Sequence, residues 1–93
     1  MAHKWIARGY RFGIDASAET VKQVGNVLSE RGYETIPFAH SAMGVPRGIK
    51  VCIAEPEDRV SRESALESLD GVFALIAKDK GLKYSVGRVV RVK

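Results

Sequence analysis

Nucleophilic chemistry needs a thiol or hydroxyl beside a base, and this chain offers few of either. Its one cysteine, Cys52, lies in the apolar run Ile49 to Ala54, and its only histidines are His3 and His40. A free Cys in such a run behaves as a small buried hydrophobe rather than a thiolate. His40-Ser41 and Asp15 fall at the ends of two extended stretches, so a Ser-His-Asp arrangement can be drawn. Asp15 is explained more simply as a cap of the helix that follows it. Glu55, Glu57 and Asp58 surround Pro56, and a Pro-broken acidic loop is a solvated turn before it is a cation site. The Gly9 to Gly13 spacing does not make a phosphate loop, because no Lys-Ser/Thr follows it and it is embedded in a strand pattern. One Cys excludes an internal disulfide and a Cys-based zinc site. No catalytic residue, metal set or cofactor is expected, and an enzyme or small-molecule sensor is the least favoured class.

The residues that do recur in a pattern are cations. Fifteen Lys and Arg stand against eleven Asp and Glu, a net charge of +4 in 93 residues. Such a balance favours encounters with polyanions without demanding them. Lys4, Arg8 and Arg11 belong to the first extended stretch, and Lys83, Arg88, Arg91 and Lys93 to the last. Brought side by side, these two stretches would gather a basic field in which Asp15 is the one acid.

The elements that must position them follow from periodicity and punctuation. Lys4 to Ile14 reads as a strand. Strict alternation would put Ile6, Arg8, Tyr10, Phe12 and Ile14 on one face, where Arg8 is out of place. A bulge at Gly9 would repair this, turning Trp5, Ala7, Tyr10, Phe12 and Ile14 inward and Arg8 and Arg11 outward. A helix spans about Ala16 to Arg31, with Asp15 or Ser17 as N-cap and Val21, Val24 and Leu28 at helical spacing. Gly25 lies on its apolar side and predicts close packing on a sheet. Tyr33 to Ala39 is a strand whose Pro37 assigns it to an edge. His40 to Gly48 is a loop, and Ile49 to Ala54 a continuous apolar strand suited to a central place. A second helix starts near Ser61 as N-cap, with a stripe of Leu66, Leu69, Phe73 and Ile76, and Asp70-Gly71 marks a candidate kink or split. Tyr84 to Val92 is the last strand, with Tyr84, Val86, Val90 and Val92 on one face and Arg88 out of phase.

Both helices close alike, Arg31-Gly32-Tyr33 and Lys80-Gly81-Leu82, a Gly past the last turn and then a large apolar residue. The order β-α-β-β-α-β in a chain of one-domain length predicts a single ferredoxin-like α+β sandwich over residues 1–93. It is a four-stranded antiparallel sheet in the order 4-1-3-2, with two helices on one face. No stretch nears the apolar length of a membrane span, and the first residues lack the apolar core of a signal peptide, so the expected address is cytoplasmic.

On these grounds the expected function is that of a small basic, non-catalytic binding module. Its open sheet face would contact RNA or DNA through Arg8, Arg11, Arg47, Lys50, Lys83, Arg88, Arg91 and Lys93, with Ile6, Val89 and Ser85 interleaved. The alternative is a protein-interaction module (a small inhibitor, an adaptor or a homodimer). It would use the 41–47 loop, with Met43, Val45 and Arg47, and an exposed sheet edge.

Overall fold

The computed structural model describes residues 4–13, 16–39 and 46–92. The elements run β1 (Trp5–Phe12), α1 (Ala18–Glu30), β2 (Glu34–Ala39), β3 (Pro46–Ala54), α2 (Arg59–Asp79) and β4 (Tyr84–Val92). The strands form one sheet in the order β2-β3-β1-β4, with every neighbouring pair antiparallel. This is the ferredoxin-like α+β layout expected from the sequence. The first and last strands are neighbours, and Pro37 sits on an edge strand.

Local chemistry sets the helix ends. The Ser17 hydroxyl accepts from the Thr20 backbone N–H at 3.1 Å and starts α1. For α2 the expected cap Ser61 gives way to Asp58, whose carboxylate accepts from the Ser61 N–H at 3.0 Å. An Asp three residues upstream is the better acceptor for that free donor, so the helix begins earlier, at Arg59. The bond from the Ser61 N–H also holds the Asp58 carboxyl below its ordinary value. Both C-termini close on a left-handed glycine, Gly32 at φ 91° and Gly81 at φ 62°. The next residue then donates back five positions, Tyr33 to Leu28 at 3.0 Å and Leu82 to Ala77 at 2.8 Å.

Asp70-Gly71 does not split α2, which is continuous through it. Gly71 is exposed and Asp70 is held by the sheet, as described below, so the pair meets no conflict that would break the helix.

The core lies between the sheet and the helices. Val21, Val24 and Leu28 of α1 and Leu69, Phe73 and Ile76 of α2 bury against Tyr10, Phe12, Ile49 and Val51. Phe73 stacks on Tyr10 with ring centroids 3.8 Å apart and planes 4° from parallel, and Tyr84 meets Phe73 edge-on at 4.8 Å. Gly25 packs as its position predicts: a Cβ there would touch Ile49 at 3.4 Å and Thr35 at 3.6 Å.

The face assignment in β1 departs from the expected one. β1 pairs with β3 without a break from Trp5 to Arg11, so its alternation is strict. The irregularity falls in the ladder to β4, where Arg8 opposes Val89 and Tyr10 opposes Val86. Two residues of β4, Gly87 and Arg88, therefore oppose the single Gly9, and the extra residue belongs to β4 rather than to β1. Gly87 comes so close to β1 that a Cβ on it would lie 3.0 Å from the Gly9 carbonyl oxygen.

Candidate nucleic-acid interface

Residues opposite one another in an antiparallel ladder share a face. Ile6, Arg8, Tyr10 and Phe12 of β1 therefore lie on the helix side with Ile49, Val51 and Ile53 of β3. The other face carries Trp5, Ala7, Gly9 and Arg11 of β1, and Gly48, Lys50, Cys52 and Ala54 of β3. β2 adds Glu34, Ile36 and Phe38. β4 adds Ser85, Val90 and Val92, with Arg88 at the bulge.

Arg8 is thus removed from the open face, where it had been expected. It points into the helix layer and forms a fork with Asp70 of α2, Nη2 to Oδ2 at 2.8 Å and Nε to Oδ1 at 3.2 Å. The buried Tyr10 hydroxyl donates to the same carboxylate at 2.6 Å. The Asp70 hydrogen bond raises the Arg8 pKa, so its charge is fixed. Burial, and then the Asp70 bond, pushes the Tyr10 phenol far above its ordinary value. Arg91 lies on the helix side too, opposite Ile6, with Nη2 3.6 Å from Glu55. Ile6 and Val89, expected to interleave with cations outside, face the helices as well.

Three of the expected residues do come together. Arg11, Lys50 and Arg88, from three different strands, line a groove of about 440 Å³ on the open face. Its floor contains Gly9 and Gly87, whose missing side chains make the depression, and Phe38 lines it from β2. The Phe38 ring lies over Gly48, where any Cβ would collide with the ring and with the Tyr10 carbonyl. Among the described residues no carboxylate lines this groove. Lys83 is exposed in the turn before β4 and is not part of the lining. Arg47 lies in β3, but its side chain is outside the described residues, as are Lys93, Met43, Val45, His40, Ser41 and Asp15.

The rest of the open face is largely apolar, with Glu34 of β2 carrying a carboxylate outside the groove. Trp5, Ile36 and Val90 are 40%, 45% and 41% exposed, and they surround the buried Ala7 and Cys52. Burial, with Glu34 adding to it, pushes the Cys52 thiol up, which keeps it protonated and unreactive at neutral pH. Sequence reasoning missed Trp5 and Phe38 as surface aromatics. Strict alternation of β1 would have found Trp5. Phe38 could be found only from its register with Gly48.

Two other concavities are less suited to a charged ligand. A groove of about 320 Å³ between α1 and β2 has Val21, Gly25 and Ile49 in its lining and no cluster of like charge. A cleft at the start of α2 mixes Arg59, Arg62 and Arg91 with Glu55, Glu57 and Asp58, so its charges offset one another. Among the described residues no three His, Cys, Asp or Glu side chains are grouped to hold a metal ion. No described helix is long and apolar enough to cross a membrane. No family model matches this chain, and neither a curated protein nor a solved structure matches it.

Proposed function

We propose that this protein is a non-catalytic module that binds nucleic acid on its open sheet face. One observation carries the reading: Arg11, Lys50 and Arg88 converge on a glycine-floored groove whose described lining holds no acid. Three cations project from three strands of the ladder and not from flexible loops, so the backbone positions that carry them are set before a ligand arrives. Phosphates satisfy such a groove, and the Phe38 ring offers a base a surface on which to lie.

The test is the fluorescence anisotropy of a labelled oligonucleotide at low and high salt. Binding should be present at low salt and should weaken for Arg11→Ala, Lys50→Ala and Arg88→Ala. Arg8→Ala should bind as the parent does, since that side chain is committed to Asp70 on the other side. Absence of binding at low salt would remove the proposal.

A second reading has its own observation. Trp5, Ile36 and Val90 make an apolar patch on the same face beside the groove, which Val90 also lines, and such a patch suits a protein surface or a second copy of the chain. The edge strands β2 and β4 could extend that contact. Light scattering for self-association, and pull-down before and after nuclease, separate the two. Partners that survive nuclease would favour the second reading.

A further inference from the structure

The open face carries two aromatic side chains far apart along the strands, Phe38 on the edge strand β2 and Trp5 on the interior strand β1, with Lys50 between them and Arg11 and Arg88 to one side. Trp5 opposes Ala54 and Phe38 opposes Gly48, six residues apart along β3. That separates the rings by roughly 20 Å along the strands and by two strand spacings of about 4.8 Å across them. Lys50, on the strand between β1 and β2, falls near this diagonal, while Arg11 of β1 is level with Phe38, and Arg88, on β4 beyond β1, is level with Lys50. Resting on the nucleic-acid reading above, we infer that the ligand is a single strand of about four to six nucleotides. It lays one base against Phe38 and another against Trp5, with an intervening phosphate on Lys50 and flanking phosphates on Arg11 and Arg88.

Three features of the face support this choice. Aromatic side chains can stack only on bases whose faces are free, and a duplex hides those faces. Two adjacent bases stacked about 3.4 Å apart cannot reach both rings, so the strand must be longer than a dinucleotide. The neutral polar side chains that read base edges are scarce here: Ser85 is on the open face, while the chain's one Asn, Asn26, is on α1. Recognition is therefore tolerant of sequence and selective for strandedness and length.

Trp5 is the only tryptophan, so its own fluorescence reports a base stacked on it. The experiment titrates the full chain with oligonucleotides of about two to about eight nucleotides, and with a duplex of the same composition. Quenching should appear at about four nucleotides and strengthen little beyond six, with the duplex weaker and unable to quench. Phe38→Leu and Trp5→Leu keep an apolar cover and remove the ring. Followed by anisotropy, each should weaken single-strand binding by about five- to hundredfold, with far-UV circular dichroism unchanged. A duplex that binds as tightly as the single strand, or Leu variants that bind like the parent, would overturn this inference. The basic groove would then still stand as a phosphate site. Failure of every oligonucleotide to bind at low salt would remove both.

Discussion

Arg8 shows how one side chain decides the character of a face. It sits among apolar positions of β1 because α2 supplies Asp70 directly above it, and Tyr10 completes the set by donating to the same carboxylate. Arg8 and Asp70 keep 20% and 29% of their side-chain surface, so solvent screening holds the ion pair itself to about 1 kcal/mol. Tyr10 is fully buried, and its hydroxyl left without an acceptor costs about 1–3 kcal/mol. Asp70→Ala should therefore destabilise the protein by about 2–4 kcal/mol in urea unfolding, with the slope unchanged. Tyr10→Phe, which removes the donor instead of stranding it, should cost about 1 kcal/mol. A second consequence concerns alkaline pH. The folded Tyr10 phenol titrates far above its unfolded value, so the stability it contributes is complete below about pH 10 and is lost as pH rises beyond that. Phenolate absorbance should show one tyrosine that ionises only as the chain unfolds, and Tyr10→Phe should abolish that component. Ionisation of all tyrosines before unfolding would contradict the burial of this hydroxyl.

At the scale of elements, the helices were the most legible part of the sequence and β4 the least. Ser17 and the paired Gly32 and Gly81 announce helix ends through chemistry confined to a few neighbouring residues. The phase of β4 depends instead on where it meets β1. Gly87 and Arg88 oppose Gly9, and that extra residue puts Tyr84 and Val86 on the helix side while Val90 and Val92 turn to the open face. Within β4 only Gly87 and the out-of-phase Arg88 hint at this, because its valines read as apolar in either phase. The same limit applies to β1, whose odd Arg8 is explained by a partner 62 positions away. Asp70-Gly71 reads as a break for the opposite reason, since a glycine weakens any helix locally while here the helix runs on through it, with Asp70 held by Arg8 and Tyr10. Gly71 is exposed, and a Cβ on it would meet nothing within 4 Å. Gly71→Ala should accordingly stabilise the protein by about 1 kcal/mol, read as a higher urea midpoint. Gly48→Ala should do the reverse, by about 1–3 kcal/mol, because its Cβ would strike the Phe38 ring and the Tyr10 carbonyl.

For the whole molecule, the strand order was readable from the element order and from Pro37, yet the order alone overstates the charge on the open face. Adjacent β1 and β4 do bring their cations near one another, but alternation and the β4 bulge sort them. Arg8 and Arg91 go to the helix side beside Asp70 and Glu55, and Arg11, Lys50 and Arg88 remain in the groove. The difference is measurable as counterion release. A single strand held by the three groove cations should give a plot of log affinity against log salt with a slope of about −2, at roughly −0.7 per phosphate contact. A strand engaging all eight cations named from the sequence would give a slope of about −5 to −6 by the same arithmetic. Replacing any one groove cation with alanine should make the slope shallower by about 0.7, and Arg8→Ala should leave it unchanged. A steep parent slope that Arg8→Ala reduces would mean that the fork to Asp70 opens when the ligand binds. The separation of the two faces, on which the groove depends, would then fail.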